Sequence, residues 1–350
     1  MTNRVTVTQL ASFDEIIDAR SPAEFAIDHI PGAINLPVLD NEQRAMIGTL
    51  HNQPSSFMAR RIGAALIARN IANHLLERLS DRPPGWRPLI YCWRGGKRSG
   101  SLNLILRQIG WKSEQLEGGY KRWRKTVVQD LETLPEQFRF QVICGLTGSG
   151  KSRLLTTLQQ LGAQVLDLEV LAAHRGSLLG NLPEQPQPSQ KMFEGRLWWQ
   201  LHHFDPQRPV YVEAESKRIG VLRMPESLMR RMWQPGRALR LETTDPVRIA
   251  WLKQDYRHFL TDPAALMERL SQLTELYGHQ QIETWQALVN QQHWDELVLQ
   301  LLHRHYDRSY EKSMLLHYPD YASRPLISLS GSTDDDLTTA AHAVLAVAGH

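Results

Sequence analysis

The sequence predicts an α/β protein of two domains, each built on a parallel sheet, with a helical part toward the end of the second. Three observations carry that prediction. Apolar strands alternate with helix-period segments through the first third of the chain. A second alternation begins at Phe140, where the strand FQVIC runs into a glycine-rich turn and then a helix. Finally, 350 residues suit two domains of the usual ~100–200 residues each.

The elements follow in order. FDEIIDAR reads as a strand ending in a polar loop, and GAINLP as another short strand. Residues 56–80 carry Ile62, Leu66, Ile67, Ile71, Leu75 and Leu79 at spacings of three and four, which marks one face of a helix. PLIYC follows the breaker DRPPGWRP and is too short for a helix, so it reads as a buried strand. Beyond it, Leu102, Ile105, Leu106 and Ile109 define a helix face, and Gly110 stands where a C-terminal cap belongs. TVVQDLETLPEQ reads as a connection, which places the domains at residues 9–132 and 137–350.

In the second domain FQVIC leads through glycines to a helix with Leu154, Leu155, Leu158 and Leu161 inward, closed by Gly162. AQVLDLE and PVYVEAES are two more strands, separated by the Gln/Pro-rich loop NLPEQPQPSQ and the aromatic helix FEGRLWWQLHHF. Residues 246–312 read as mostly helical, and RPLISLSGSTDDDLTTAAHAVLAV as a closing strand and helix. There is no internal repeat.

Composition narrows the class. Apolar residues at 42% and charged residues at 22% are ordinary for a globular protein. No apolar run approaches the ~20 residues that cross a bilayer. The stretch MTNRVTVTQLASFDEI lacks the charged-then-apolar layout of a signal peptide. Two cysteines build neither a disulfide framework nor, alone, a zinc site, which fits a reducing cytosol. A cytoplasmic protein without a membrane partner is therefore expected.

The net charge of +3 is unevenly spread. Arg82 to Lys125 holds eleven basic residues against Glu114 and Glu117, and Lys217 to Arg240 holds seven against Glu226. Such clusters favour a polyanion through phosphate contacts and counterion release. The alternative, two solvated faces balanced by acids elsewhere, stays open on charge alone.

Gly145-Leu146-Thr147-Gly148-Ser149-Gly150-Lys151-Ser152 matches G-x-x-x-x-G-K-[ST] between a strand and a helix, the context of a P-loop NTPase-like domain. The glycines let successive N–H groups face one anion, Lys151 adds a point charge, and the following helix N-terminus adds its partial positive charge. Ser152 is placed to hold Mg²⁺ beside a bound nucleotide or diphosphate. An ATPase wants an aspartate at the end of an apolar strand. Here the strand ends offer Glu213 and Glu215, or Asp167 and Glu169, and neither pair follows the usual pattern. Solvated strand ends remain an equal alternative, and a diphosphate other than ATP stays open.

In Cys92-Trp93-Arg94-Gly95-Gly96-Lys97-Arg98 a lone cysteine ends a strand and enters a short basic loop before a helix. Loop amides and cations favour the thiolate, and a nucleophilic sulfur follows. Such a loop also cradles a tetrahedral oxyanion or a persulfide. Cys144, inside FQVIC, reads as a buried wall residue.

DARSPAEFAIDHIPGAINLP, the Cys92 loop and LEGGYKRW together resemble a rhodanese domain from end to end. With GLTGSGKS behind it, and with DLEVLAAHRGS, QPSQKMFE and VEAESKRIG, the whole chain resembles the tRNA 2-selenouridine synthases. The fold this implies is a rhodanese-like α/β domain followed by a P-loop NTPase-like α/β domain with a helical C-terminal part. The long helical segment between GAINLP and PLIYC departs from ordinary rhodaneses.

The resemblance implies that sulfur of the wobble 2-thiouridine of certain tRNAs is replaced by selenium in two steps. The sulfur is first geranylated with geranyl diphosphate. Selenophosphate, drawn from a separate selenophosphate-producing enzyme, then supplies selenium, with Cys92 as the carrier, and geranyl thiol departs. No cofactor is held permanently on this reading, and no metal ligand is certain. The tRNA backbone becomes the partner of the basic stretches, and the anticodon loop presents its base. Trp198 and Trp199 beside Phe204 suit a prenyl pocket or a stacked base, or plain core. His174 and Arg175 suit a phosphate or the leaving group, or a capped helix end.

Two rivals remain. One is an ATP-dependent sulfurtransferase or kinase fed by a persulfide on the first domain. The other is a binding protein whose first domain is an inert docking module.

Overall fold

The computed structural model describes residues 4–51 and 56–348 and divides into two units. One unit comprises the chain up to Leu131 together with Pro188–Trp199, and the other comprises Glu132–Gln187 and the chain from Gln200 onward. Among the described residues no helix is long and apolar enough to cross a membrane.

The first unit is a parallel sheet of β1 (Arg4–Val5), β2 (Glu15–Asp18), β3 (Ile34–Asn35), β4 (Pro88–Tyr91) and β5 (Glu114–Leu116), in the order β1-β5-β4-β2-β3. Parallel neighbours require crossovers, supplied by α1 (Pro22–Ile27), α2 (Asn41–His51), α3 (Ser56–Glu77) and α4 (Lys97–Ile109), while α5 (Gly119–Asp130) follows the last strand. Strand β4 is central and buried along its whole length, which is why PLIY is continuously apolar rather than alternating. Its Ile90 packs in one cluster with Ile17, Leu36, Ile71, Leu102 and Leu106. Helix α1 starts with Pro22 at its first position and a capping box between Ser21 and Glu24.

Pro188–Trp199, expected within the second domain, packs in the first unit instead. The Trp198 ring meets Trp123 edge-on at 6.4 Å between centroids, and its Nε1–H donates to Asp130 Oδ2 at 2.8 Å. Ser189 Oγ donates to the Ile27 carbonyl at 2.6 Å, and Glu194 pairs with Arg124. Trp198 is therefore a core residue, the plainer of its two expected roles.

The second unit is a parallel sheet of β6 (Phe140–Cys144), β7 (Gln164–Leu166), β8 (Val210–Glu213), β11 (Ala238–Thr243) and β12 (Leu326–Leu329), with β9 (Arg218–Ile219) and β10 (Leu222–Arg223) forming a separate antiparallel hairpin. The sheet order is β12-β11-β6-β8-β7. Its helices are α6 (Lys151–Gln160), α7 (Leu168–Ala172), α8 (Gln190–His202, whose first turns belong to the first unit), α9 (Glu226–Met232) and the closing α17 (Asp334–Ala348). The expected helical part is present as α10 (Asp245–Asp255), α11 (Arg257–Thr261), α12 (Pro263–Ser271), α13 (Thr274–Tyr277), α14 (His279–Asn290), α15 (Trp294–Leu301) and α16 (Asp307–His317). Phe259, Leu270, Trp285, Leu297 and Leu301 form its own core. A π turn, Leu302–Tyr306, joins α15 to α16. Phe204, expected beside Trp198, packs edge-on against Phe138 in this unit.

Candidate functional site

Each unit carries one glycine-rich loop at the C-terminal end of a central strand, where open α/β sheets place ligands. In the first unit β4 delivers Cys92, and the chain turns through Trp93–Gly96 into α4. Cys92 is buried, and its Sγ accepts a hydrogen bond from Ser99 Oγ at 3.0 Å. Ser99 Oγ in turn accepts from Gln115 Nε2 at 2.7 Å. The sulfur thus sits close to the N-terminus of a 13-residue helix whose first turn is basic and carries no acid.

The loop is clamped from behind by the start of α5. The backbone N–H of Tyr120 donates to the Cys92 carbonyl at 2.8 Å, and that of Lys121 to the Trp93 carbonyl at 3.0 Å. This approach requires glycine at position 119: its φ is +57°, and a Cβ there would collide with the Cys92 carbonyl oxygen and lie 2.6 Å from Gly95 N. Trp93 stacks on Tyr120 at 5.2 Å. Tyr120 donates to Asp28 Oδ2 at 2.7 Å, and the Arg20 guanidinium lies 4.0 Å from the Tyr120 ring centroid. Arg20 is itself fixed by Asp18 at 2.6 Å and by the Asp28 carbonyl at 2.6 Å.

The expected ring of cations is only partly present. Arg94 and Lys97 are exposed at the rim. Arg98 is not available to a loop anion, because its guanidinium pairs with Glu24 at 2.6 Å. Burial works against ionisation of Glu24, but Arg98 outweighs it and holds the carboxyl below its usual range. Ser99, Gln115 and Gly119 were not singled out by the sequence reading, although the double glycine of LEGGYKRW was a usable signal.

In the second unit β6 leads through Gly145–Gly150 into α6. The loop rests on the helical part: Gly150, at φ +84°, faces the Trp251 ring so closely that no Cβ fits. Arg248 Nε donates to the Thr147 carbonyl at 2.9 Å. Lys151 Nζ donates to the carbonyls of Gly145 and Leu146 at 2.8 and 3.3 Å, and lies 5.4 Å from the Tyr310 ring centroid. The Gly145 N–H donates to the Tyr310 hydroxyl at 2.7 Å.

Ser152 Oγ donates to Glu169 Oε2 at 3.2 Å and to Glu213 Oε2 at 3.4 Å. Glu169, Glu213 and Glu215 each bring a carboxylate oxygen within 4.8 Å of the others. Burial first, then the neighbouring carboxylates, pushes all three well above the usual carboxyl range. Glu213 Oε1 is buried without a partner, and so is Arg175 Nη1. Both residues line one cavity of about 390 Å³ with Gly148, Gly150, Lys151 and Ser152. Buried polar atoms are normally paired, so the unpaired carboxylate oxygen and guanidinium nitrogen leave this cavity with hydrogen-bonding capacity that suits a charged ligand. Its oxygen donors also suit a hard divalent cation such as Mg²⁺.

Two expected residues take other places. Asp167 caps α7, its Oδ1 accepting from Val170 N at 2.8 Å, and Glu169 stands beside Ser152 instead. His174 shapes a turn: it is buried, Nδ1 accepts from the Gly176 N–H at 3.1 Å, and burial lowers its pKa, so the ring is neutral. Cys144 is sealed in the core as expected, and burial pushes its thiol up. In the basic stretches Arg82, Arg124 and Arg230 are neutralised by Glu15, Glu194 and Glu136, while Arg94, Lys97, Lys121, Arg122, Lys217 and Arg218 are exposed.

Residues 6–126 match the model of the rhodanese-like domain. Residues 138–272 match the model of the tRNA 2-selenouridine synthase AAA domain. The chain is 35% identical over 263 residues to the tRNA 2-selenouridine synthase of Nitrosomonas europaea, covering 73% of this chain and 66% of that protein. It is 37% identical over 226 residues to that of Nitrosomonas eutropha, covering 62% and 56%, and 34% identical over 247 residues to that of Marinobacter nauticus, covering 69% and 65%. The chain thus spans less than two thirds of the length of these curated relatives.

Proposed function

By its rhodanese-like and AAA domains the chain belongs with the tRNA 2-selenouridine synthases, and from that premise we propose that it exchanges the sulfur of wobble 2-thiouridine in tRNA for selenium. In the first step the nucleobase sulfur attacks C1 of geranyl diphosphate. The C–S bond forms as the C–O bond breaks, diphosphate leaves, and the N3 proton passes to solvent. In the second step selenophosphate supplies selenium, with Cys92 as its carrier. Water cleaves the P–Se bond to give phosphate and hydrogen selenide, which is held beside the Cys92 thiol without an S–Se bond. Its selenium bonds to C2 as the C2–S bond breaks, its proton passes to N3, and geranyl thiolate leaves and takes a proton from solvent.

The observation that supports this reading is a pair of anion loops of unlike chemistry. One presents a thiol, Cys92, beside Ser99 at a helix N-terminus; the other presents Lys151 and loop amides, with its nearest thiol, Cys144, sealed away. Trp93, Arg94, Gly95, Gly96 and Lys97 would hold selenophosphate. Gly145–Ser152, with Arg175 opposite, would hold the diphosphate and stabilise it as it leaves. Ser152, Glu169, Glu213 and Glu215 would hold a divalent cation, which would add Lewis-acid stabilisation of the leaving group. Lys217, Arg218 and Arg223 line a cavity beside Trp233, a surface suited to the tRNA backbone.

The test is a staged assay on 2-thiouridine tRNA, with geranyl diphosphate added first and selenophosphate second, followed by mass spectrometry of the wobble nucleoside. Cys92→Ala is expected to stall at the geranylated nucleoside, and Lys151→Ala never to form it. If the wild type makes no prenyl or selenium adduct but turns over ATP and incorporates sulfur, the ATP-dependent sulfurtransferase takes its place.

A further inference from the structure

Trp93, the residue next to Cys92, leaves 39% of its surface in solvent. A lone exposed apolar residue is ordinary, but this one is mounted on buried groups. Its ring lies on that of Tyr120, with centroids 5.2 Å apart and planes 26° from parallel, an offset stack. The Arg20 guanidinium stands 4.0 Å from the same Tyr120 centroid. A ring has two faces, so Arg20 takes one and Trp93 the other. Three planar groups thus form a stack that ends at the free face of the indole.

The lower tiers of the stack are fixed. Arg20 is buried and donates to the Asp18 carboxylate through Nε at 3.0 Å and Nη2 at 2.6 Å, and through Nη2 to the Asp28 carbonyl at 2.6 Å. Tyr120, also buried, donates its hydroxyl proton to Asp28 Oδ2 at 2.7 Å. Burying Asp18, Arg20 and Asp28 beneath one aromatic ring is costly. The clamp on the Cys92 loop does not call for it, because that clamp is made by the backbone N–H groups of Tyr120 and Lys121. What the mount does is hold an indole rigid, one residue from the sulfur, with little left to lose on binding a flat ligand.

The surroundings select among flat ligands. Arg94 and Lys97 are exposed in the same loop, and Lys121 and Arg122 are exposed at the start of α5, just after Tyr120. An aromatic face among exposed cations fits a planar base carried on a phosphate backbone. An aromatic side chain of a protein partner would use the face and leave the cations idle. A base inside a duplex hides its faces, so the fitting ligand is an unstacked base of a single-stranded loop.

We propose that the Trp93 ring is the platform on which the wobble uracil ring stacks when it is presented to Cys92. This rests on the tRNA reading proposed above and adds a residue that grips the base itself, while the loop amides and cations stay with the anion. The platform reads flatness and not the atom at C2, so it serves the base before and after the exchange.

Binding of the whole chain to an anticodon stem-loop RNA with 2-thiouridine at the wobble position, and to the same RNA abasic there, tests it. Wild type is expected to bind the base-bearing RNA about tenfold tighter, the gain of one base–aromatic stack. Its tryptophan fluorescence should drop further with that RNA than with the abasic one, since a stacked base quenches an indole. Trp93→Leu is expected to shrink the preference to about twofold and to hold the abasic RNA as wild type does, which reports a folded loop with its cations in place. Trp93→Phe keeps a ring and most of the preference, but loses the base-dependent quench. Should Trp93→Leu lose the abasic RNA as well, the fluorescence of Trp93→Phe decides. Equal affinity of wild type for the two RNAs overturns the proposal without recourse to any variant. So does a preference that Trp93→Leu keeps, or a base-dependent quench that survives in Trp93→Phe. Failure of the underlying reading looks different: wild type stacks the base, yet the staged assay finds neither a prenyl nor a selenium adduct on the same RNA.

Discussion

Ser99 Oγ, in the first turn of α4, lies 3.0 Å from Cys92 Sγ and donates its hydrogen bond to it across the Trp93–Gly96 loop. Hydrogen bonds to a charged acceptor contribute about 1.5–3 kcal/mol. Ser99→Ala keeps the volume and removes the donor. Alkylation of Cys92 by iodoacetamide at neutral pH is expected to slow by about tenfold, and the proposed selenium step with it, while the proposed geranylation is unaffected. An alkylation rate equal to wild type would remove Ser99 from the chemistry of the sulfur.

Gly119→Ala puts a methyl group into the Cys92 carbonyl, with backbone on both sides and no flexible side chain to yield. We expect a loss of about 3 kcal/mol or more in denaturant unfolding. Gly32 provides the comparison: its φ is +78°, but open space surrounds its Cβ position. Gly32→Ala should cost only about 1 kcal/mol, from backbone strain alone. Equal costs for the two would mean that the clamp on the Cys92 loop relaxes.

Tyr310 closes the Gly145 N–H from 165 residues away at 2.7 Å. Tyr310→Phe leaves that buried donor unpaired, so stability should drop by about 1–3 kcal/mol. Thermal unfolding with and without pyrophosphate measures it. A variant as stable as wild type refutes the importance of this bond.

Glu169 and Glu215 are each pushed up to about 8 by burial and by the charges beside them. For acids raised in the folded state, stability is present below the ordinary carboxyl range and is lost as pH climbs through the folded value. Without a divalent cation the melting temperature should therefore fall from about pH 5 to about pH 8. A cation that needs ionised carboxylates opposes that fall, so the stabilisation by Mg²⁺ should grow with pH. Differential scanning fluorimetry over this range checks both slopes. A Mg²⁺ effect that is flat or shrinks with pH, or survives Glu213→Gln unchanged, counts against a cation at these carboxylates.

The parts legible from sequence were those encoded locally. PLIYC and FQVIC announce central parallel strands because both faces are buried and the run is almost wholly apolar, with Gln141 the one polar exception in β6. Gly110 does cap α4, at φ +110°. The glycine spacing of the second loop carries its own conformation. What stayed hidden depends on distant partners. Glu24 takes Arg98 out of the loop from 74 residues away, and Tyr310 reaches Gly145 from the helical part. Strands β1 and β5 are two and three residues long, too short for a periodic signal, and Arg240 and Glu242 disguise the half-buried β11 as a charged loop. Trp198 fits a core or, less often, a ligand pocket by spacing, and only its contacts with Trp123 and Asp130 decide between them.

Because Trp198 completes the packing around Trp123, the first unit is not finished when its last strand has been made. Seventy-five residues separate the two rings in the chain. A ribosome adding ~5–20 residues per second delivers the second ring ~4–15 s after the first. Through that interval the nascent first unit carries an uncovered indole face, while β6, the phosphate loop, α6 and β7 leave the exit tunnel. Cotranslational folding of this protein is therefore interleaved rather than domain by domain, and a chain stalled near Leu131 still lacks the indole that covers Trp123.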